Sequence, residues 1–330
     1  MSKLRLSFSC WSYDRTRALV DGSVAPEGID LNCLTNVVEE TFFRMARHRE
    51  FEVAEMSLSS YCVSLSRPER PFIAIQVFPS RMFRHGFTFV SAKSGIKEPK
   101  DLAGKRIGTP EYQLTAPVWI RGILQDEYGL DPASPEYFTG GLFETGREEK
   151  ITLDLPAKFR VRAIPAGKTL SGMIEAGEVD ALQAPHPPST FYSAPQAVKR
   201  LHENYVEVER AYFRKTRIFP IMHTVAIRRD VYEANRWIAQ ALFKAFLAAQ
   251  RKVYDGFHHH EAYQTMLPWQ MAQVEEAQRV LGDDWWAYGF EPNRHVLDTF
   301  LRYHHEQGLS PRRLKAEELF APETFESFKI

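Results

Sequence analysis

The amino-acid sequence predicts an α/β protein of two lobes, in which the second lobe is inserted into the first. The N-terminal part, up to Val77, alternates strand-like and helix-like segments, an order typical of a mostly parallel sheet covered by helices. A second alternating unit lies between two short apolar strands, Phe87–Val90 and Thr224–Ile227. The chain of 330 residues is long enough for two domains of ordinary size.

The first unit combines strand-like runs, of which Leu4–Ser9 alternates in polarity, with helix-like runs, of which Val38–Arg47 has the usual apolar spacing. Strands are predicted at Leu4–Ser9, Ile29–Leu34, Phe51–Met56 and Phe72–Val77, and helices at the end of Trp11–Val20 and over Val38–Arg47. Ser57–Ser60 is expected to be a turn that follows the third strand. After Thr224–Ile227 the chain is predicted to be helical, beginning with an amphipathic helix over Ala234–Tyr254.

The inserted unit has its own succession of strands and helices. It is predicted to contain strands in Lys100–Gly108, Arg160–Ile164 and Val179–Leu182, and helices over Thr115–Tyr128 and Leu170–Ala176. Two runs, 132–154 and 186–219, are expected to be irregular loops. We predict lobe 1 at residues 1–86 and 224–330 and lobe 2 at 87–223, with the two flanking strands as a double-crossing hinge.

Composition excludes several classes of partner. Lys+Arg and Asp+Glu are both 42, so the net charge is zero and gives no overall attraction to nucleic acid or to an anionic membrane. The N-terminus lacks the apolar run of a signal peptide. Three cysteines without a paired spacing favour a reducing compartment. We therefore expect a cytoplasmic protein with a small-molecule partner, and the sequence leaves open whether it forms a homo-oligomer.

The two-lobed arrangement predicts where a ligand binds. Open α/β sheets bind ligands outside the carboxyl ends of their strands. Two facing lobes would bring those ends to a shared cleft, and an anion bound there must meet locally placed cations because the net charge is zero.

Several segments, spread over nearly the whole chain, are similar to those of the 4,5-dihydroxyphthalate decarboxylase family. They are Phe51–Ser60, Val77–His85, Asp101–Tyr112, Thr115–Gly122, Phe219–Thr224 and Tyr288–Arg294. The Asp-Leu-x-Gly-Lys part is generic to the fold, whereas Arg-x-Phe-Arg-His and Phe-Pro-Ile-Met-His are specific. The resemblance implies a type II periplasmic-binding-protein-like fold that acts as an enzyme.

The same resemblance implies a carboxy-lyase of aromatic compound catabolism. The reaction would be the non-oxidative decarboxylation of a dihydroxylated aromatic dicarboxylic acid to a catechol monocarboxylate, by acid–base catalysis in the cleft. Two alternatives remain open at this stage. One is a solute-binding protein that delivers a small carboxylate to a transporter, and the other is a ligand-sensing module of the same fold.

Three histidines are candidates for proton transfer. His85 precedes the outgoing strand, His223 precedes the returning strand, and His186 follows the strand that ends at Leu182. Histidine exchanges protons near neutral pH, so one residue could protonate the ring carbon while another partners the phenol. The sequence does not assign these roles. Histidines at such positions also occur as hydrogen-bonded structural residues.

Other side chains are candidates for binding the substrate. Arginine matches a carboxylate in bidentate geometry, so Arg81 or Arg84 could hold the retained carboxylate, with a surface salt bridge as the alternative. Strand ends, the start of a helix and the 140–150 loop supply further candidates, namely Trp11 for ring stacking, Ser57, Thr115, Arg121 and Arg147.

The proposed chemistry requires no cofactor, and no metal site is predicted. His258, His259 and His260 are adjacent and point to different sides of a helix, so they do not form the usual spacing of a zinc site. A divalent metal bound by His85, His186 or His223 is retained as an alternative.

Overall fold

The computed structural model describes residues 2–259 and 261–325, so His260 lies outside the described residues. Its contacts divide the chain into two compact units. Unit 1 contains the chain up to Arg81, Ile221–His295 and the chain from Ala316 onward, and unit 2 contains Met82–Pro220 and Val296–Lys315.

Strands and helices alternate through much of the chain. The strands are β1 (Leu4–Cys10), β2 (Ile29–Thr35), β3 (Val53–Ser57), β4 (Phe72–Arg81), β5 (Thr88–Ser91), β6 (Arg106–Thr109), β7 (Glu136–Thr139), β8 (Arg160–Ala163), β9 (Ala181–Gln183), β10 (Val198–Arg200) and β11 (Ile221–Arg228). The α-helices are α1 (Asp14–Val20), α2 (Val38–His48), α3 (Leu58–Leu65), α4 (Thr115–Tyr128), α5 (Leu170–Ala176), α6 (Ser189–Ser193), α7 (Tyr205–Thr216), α8 (Arg229–Ala234), α9 (Trp237–Phe257), α10 (Gln270–Leu281) and α11 (Arg294–Glu306). Within the described parts of the chain, every helix is too short or too polar to cross a bilayer.

The sheet of unit 1 has the strand order β2-β1-β3-β11-β4. Strand β1 runs parallel to β2 and β3, and β11 is antiparallel to both of its neighbours. Strands β1, β3 and β4 therefore end at the edge of the sheet where β11 begins. Residues Cys10, Ser57, Arg81 and Ile221 mark this edge, which we call the carboxyl edge of unit 1.

The sheet of unit 2 has the order β10-β5-β9-β6-β7-β8. Strands β6 to β9 run parallel, while β5 is antiparallel to β9 and β10. Phe89 on β5, Leu182 on β9 and Leu170 and Ile174 on α5 belong to one buried apolar cluster. The predicted α/β character of both units is confirmed.

The chain passes between the units at other residues than predicted. Phe87–Val90 largely coincides with β5, which pairs with two strands inside the second sheet. The first passage follows Arg81 instead, because β4 extends that far as a partner of β11, in which Ile221 faces Arg81. The chain returns to unit 1 just before Ile221, whereas the sequence predicted a return just before Thr224.

A second correction concerns Val296–Lys315, which the sequence predicted in lobe 1. The segment belongs to unit 2, because α11 packs on α4. The Phe300 ring lies 5.3 Å from that of Trp119. The Arg121 Nε donates a hydrogen bond of 2.7 Å to the Gln307 side-chain oxygen.

Parts of the predicted irregular and turn regions are regular. Ser57 is the N-cap of α3 and accepts a 3.4 Å hydrogen bond from the Ser60 N–H, so the expected turn is the start of a helix. The run 132–154 contains β7, and 186–219 contains α6, β10 and α7. Helix α7 was missed although Tyr205, Val208 and Tyr212 have helical spacing, and of its residues Tyr212 and Phe213 are buried.

Candidate active site

A fully buried carboxylate lies at the carboxyl edge of unit 1. Glu55 is on β3, whose five residues are all buried. Its Oε1 accepts a 2.6 Å hydrogen bond from the Tyr13 hydroxyl and lies 2.6 Å from the His223 Nδ1. Its Oε2 accepts a 3.1 Å bond from the Trp11 N–H. A buried charge requires such partners, and this one has three.

The imidazole of His223 is held in one orientation. In the register of β11, His223 faces Ser57 on β3 and Ser80 on β4, and the pairing with β4 is irregular on both sides of it. The ring meets that of Phe42 edge-on at 4.9 Å. Its Nε2 makes no hydrogen bond within the described residues, and the side chain is 16% exposed. One ring nitrogen is thus fixed and the other is available to a ligand.

The charges of this cluster are fixed by its contacts. Burial by itself raises the pKa of Glu55, but the His223 imidazole and the hydrogen bonds from Tyr13 and Trp11 bring the pKa below its usual value. Burial and the charge of Glu55 raise the pKa of Tyr13, which keeps its proton. Because a carboxylate only accepts hydrogen bonds, Nδ1 of His223 carries the proton of this contact, and Nε2 is the ring nitrogen that does not bind Glu55.

His85 lies in unit 2 in a different environment. It is buried, its Nδ1 is 4.0 Å from the Glu209 Oε1, and its ring centre is 4.8 Å from that of Tyr212. Burial, with a smaller effect of the nearby His202, lowers the pKa of His85 to about 4. Burial raises the pKa of Glu209 to about 7. The His85 imidazole is therefore neutral at neutral pH.

The two arginines predicted as a clamp belong to different units and are both buried. In unit 1, Arg81 donates a 2.7 Å hydrogen bond to the Ala287 carbonyl and another to the Asn293 side-chain oxygen. In unit 2, the Arg84 guanidinium lies 4.9 Å from the Phe87 ring centre. Burial lowers the pKa of Arg81 to about 10 and that of Arg84 to about 9.

A buried ionic cluster in unit 2 contains one of the predicted residues. The fully buried Glu111 Oε1 lies 2.5 Å from both the Arg147 Nη2 and the Lys150 Nζ. Its Oε2 accepts hydrogen bonds from the Gln113 side chain at 2.8 Å and the Lys150 N–H at 2.9 Å. Arg147 therefore ties the 140–150 loop to the turn between β6 and α4.

Other predicted residues occupy structural or exposed positions. Arg121 is buried, donates a 2.7 Å hydrogen bond to the Tyr112 carbonyl and stacks on that ring at 4.1 Å. Thr115 is the first residue of α4 and is buried. His186 is exposed beyond the end of β9. Trp11 is 42% exposed at the carboxyl edge of unit 1.

The structure thus brings Trp11, Ser57 and His223 together at the carboxyl edge of unit 1. Sequence reasoning missed Glu55 as a functional residue. Its signal was a charged residue inside the otherwise apolar segment Phe51–Met56.

The described residues contain no group of three or more His, Cys, Asp or Glu side chains suited to a metal ion. This absence does not test the prediction that the reaction requires no cofactor, which stays a prediction.

Comparison with known proteins identifies the family. No protein-family model matches the chain. Over all 330 residues, and the whole of both chains, it is 42% identical to the 4,5-dihydroxyphthalate decarboxylase of Comamonas testosteroni. Over 204 residues it is 45% identical to the Pseudomonas putida protein of the same name, covering 62% of this chain and 79% of that one. The chain belongs to the 4,5-dihydroxyphthalate decarboxylase family. The predicted family and the predicted carboxy-lyase are confirmed.

Solved structures place this family member in a known fold. A periplasmic sulfonate-binding protein of Methylobacillus flagellatus matches with a TM-score of 0.53 at 14% identity, over 98% of this chain and 93% of that one. The alkanesulfonate-binding protein of Xanthomonas axonopodis matches with a TM-score of 0.50 at 12% identity, over 97% and 98%. The predicted periplasmic-binding-protein-like fold class is confirmed, and at these identities the likeness concerns the fold alone.

Proposed function

We propose that this decarboxylase family member removes one carboxylate, without oxidation, from a dihydroxylated aromatic dicarboxylic acid such as 4,5-dihydroxyphthalate. The product is a catechol monocarboxylate. The names of the two relatives support the substrate class. The observation that carries the proposal is the buried Glu55–His223 pair, whose 2.6 Å contact leaves one imidazole nitrogen available to a ligand.

The proposed chemistry conserves electrons and exchanges one proton for carbon dioxide. A base takes the proton of the hydroxyl para to the departing carboxylate. The freed electron pair moves through the ring, and the carbon that bears the carboxylate takes up a proton. The bond from that carbon to the carboxylate then breaks, its electron pair restores the aromatic ring, and carbon dioxide leaves. The resulting phenolate takes back a proton from the protonated base, which gives the catechol.

His223 is the residue we assign to proton transfer. Its Nε2 can accept a proton from the phenol, or donate one to the ring carbon once the imidazole is protonated. General acid–base catalysis of this kind is worth about 10²–10⁴-fold in rate. His85 was predicted as the second proton-transfer residue, and its neutral imidazole suits an acceptor rather than a donor.

Glu55 is a positioning residue in this proposal. Its carboxylate fixes the tautomer of His223 through Nδ1 and stabilises the protonated ring, in the way that a buried carboxylate orients a catalytic histidine elsewhere. The Tyr13 hydroxyl and the Trp11 N–H hold the carboxylate in place.

The first test is turnover of 4,5-dihydroxyphthalate, followed by release of carbon dioxide and appearance of the monocarboxylic catechol. The wild-type protein is expected to catalyse this reaction without added oxidant. Saturable binding without any product would contradict the decarboxylase proposal and favour a solute-binding role.

His223→Asn is expected to lower kcat by about 10²–10⁴-fold, because it removes the proton-transfer group. Glu55→Gln is expected to lower kcat by roughly 10–100-fold, because it removes only the orienting charge. Glu55→Gln should change KM much less than kcat, since Glu55 acts through His223.

The control is His48→Asn, which changes an exposed histidine at the end of α2 in the same unit. It should leave kcat and KM unchanged. Normal turnover by both His223→Asn and Glu55→Gln would exclude the pair from the mechanism.

A further inference from the structure

Unit 1 contains a pocket that the proposed proton-transfer pair does not use. Its volume is about 140 Å³. Apolar protein cavities of roughly 150 Å³ bind a benzene molecule, so the pocket is large enough for one aromatic ring. We call it the Arg15 pocket, and its lining residues are Asp14, Arg15, Gln250, Val253, Tyr254, Phe257, Trp285 and Trp286.

The walls of the Arg15 pocket are aromatic and held in place. The ring centres of Tyr254 and Trp285 lie 4.8 Å apart at an angle of 78°. The Trp286 indole N–H donates a 2.9 Å hydrogen bond to the Phe78 carbonyl. The Tyr254 hydroxyl accepts a 2.9 Å bond from the Trp286 N–H and donates one of 3.1 Å to Asp284. Edge-to-face and offset contacts with a bound ring are favourable in such surroundings.

The pocket also contains a positioned cation. The Arg15 guanidinium carbon lies 4.1 Å from the Tyr13 ring centre and 4.3 Å from that of Trp286. Its Nε donates a 2.5 Å hydrogen bond to the Pro79 carbonyl, and its Nη1 donates one of 2.9 Å to Asp14. A guanidinium has five N–H groups, and the others make no hydrogen bond within the part of the chain that the structure describes. The side chain is 16% exposed, so a ligand can reach it.

The charge of Arg15 remains available although Asp14 is adjacent. The Asp14 side chain is 47% exposed, and ion pairs of this kind in contact with water are weak. Asp14 and the nearby Asp284 do repel a second negative charge on a ligand. The pocket therefore favours a monoanion over a dianion.

We propose that the Arg15 pocket binds a monocyclic aromatic monocarboxylate, with its carboxylate on the Arg15 guanidinium and its ring against Tyr254, Trp285 and Trp286. Guanidinium matches carboxylate in a bidentate arrangement, and the aromatic walls match the ring. The product of the proposed reaction belongs to this ligand class. That assignment rests on the proposed function, whereas the binding of a simple aromatic monocarboxylate does not.

The test is titration of the intact protein with benzoate, followed by intrinsic tryptophan fluorescence and by calorimetry. Saturable binding is expected, and benzyl alcohol, which has the ring without the charge, should bind at least about tenfold more weakly. Arg15→Gln should weaken benzoate binding by at least about tenfold, because it removes the cation. Trp285→Phe should reduce the fluorescence change.

Three further variants test whether benzoate occupies the Arg15 pocket. Val253→Phe keeps Arg15 and fills the pocket, so it should also weaken binding. Arg17→Gln changes an exposed arginine on the same helix and should bind benzoate as the wild type does. His223→Asn should likewise retain binding, whatever its turnover.

Unchanged affinity in both Arg15→Gln and Val253→Phe would overturn the proposal. So would loss of binding in His223→Asn with retention in Arg15→Gln, because benzoate would then occupy the site of the proton-transfer pair. A protein that binds benzoate in the pocket but does not turn over 4,5-dihydroxyphthalate would contradict the proposed function alone.

Discussion

Glu55 illustrates how one residue sets the chemistry of its surroundings. A carboxylate inside a buried strand is unfavourable unless hydrogen bonds and opposite charge compensate for its burial. Tyr13, Trp11 and His223 provide this compensation, and they lower the pKa of Glu55 despite its burial. The contact that stabilises the carboxylate also fixes the His223 tautomer. Stability and the proposed proton transfer therefore depend on the same bond.

Glu149 is expected to make stability depend on pH. Burial, and to a lesser extent the charge of Glu111, raises the pKa of Glu149 from 4.5 to about 7. Between pH 4.5 and about pH 7, Glu149 keeps its proton in the folded protein but loses it in the unfolded chain. The contribution of Glu149 to the free energy of unfolding therefore falls as pH rises through this range, and it stays constant at higher pH. Glu149→Gln should remove this trend. The measurement is the free energy of unfolding in urea at pH 5 and pH 8.

The difference in the free energy of unfolding between Glu149→Gln and the wild type isolates this residue from other titrating groups such as Glu209. This difference should favour Glu149→Gln more at pH 8 than at pH 5. The control is Glu148→Gln at the exposed neighbouring position, for which we expect no such difference. An effect of Glu149→Gln that is equal at both pH values would contradict the prediction.

At the scale of elements, α4 depends on a close approach to α11. Gly122 lies where the two helices meet, and a Cβ added there would be 2.1 Å from the Tyr303 ring. The helix ends at Gly129, whose φ of 69° is left-handed and suits glycine. One glycine thus permits packing and the other ends the helix.

Gly122→Ala is expected to destabilise the protein by about 1–3 kcal/mol or more, because the rigid Tyr303 ring cannot yield without shifting the helix. The matched variant is Gly172→Ala in α5, where the nearest atom to the added Cβ is the Thr169 hydroxyl oxygen at 3.4 Å. This change should stabilise by about 0.5–1 kcal/mol, since alanine is the better helix former. Urea unfolding of both variants measures the change in the free energy of unfolding. A change of the same sign in both variants would refute the packing argument.

At the scale of the whole molecule, the order of residues in the chain does not match the division into units. Unit 1 contains segments from the beginning, the later part and the end of the chain, and α11 returns to unit 2. The Trp119 and Phe300 rings, 5.3 Å apart, join helices from distant parts of the sequence. Unit 2 is therefore complete only when the segment Val296–Lys315 is present.

Phe300→Ala is expected to destabilise unit 2 by about 3–5 kcal/mol, because it opens a cavity beside Trp119. Amide hydrogen exchange should become faster in α4 while the exchange of β1 changes less. Phe246→Ala is the matched change in unit 1, where the Phe246 ring lies 5.3 Å from that of Phe8. It should accelerate exchange in β1 instead. Faster exchange in β1 rather than α4 for Phe300→Ala would contradict the assignment of α11 to unit 2.

Much of the local structure could be predicted from the sequence. Alternating polarity identified β1, strand-like runs identified β2 to β4, helix-like runs identified α2 and α4, and family-like segments identified the decarboxylase family. Trp11, Ser57 and His223 are predictable as site residues because they lie at strand ends, and they meet at one edge. Helix α7 was missed although its apolar residues have helical spacing, because the run 186–219 was predicted to be irregular.

The sequence by itself determined the α/β class, most strands and helices, and the family, because these depend on residues close together in the chain or on short motifs. Only the tertiary structure decided that Glu55 contacts His223, 168 positions later, and that Arg15 joins an aromatic pocket with Trp285 and Trp286. The Glu55–His223 contact depends on strand order and register, and a shift of one residue would turn either side chain to the opposite face of the sheet. Helix α11 belongs to unit 2 because it packs on α4, which is a contact between residues far apart in the sequence.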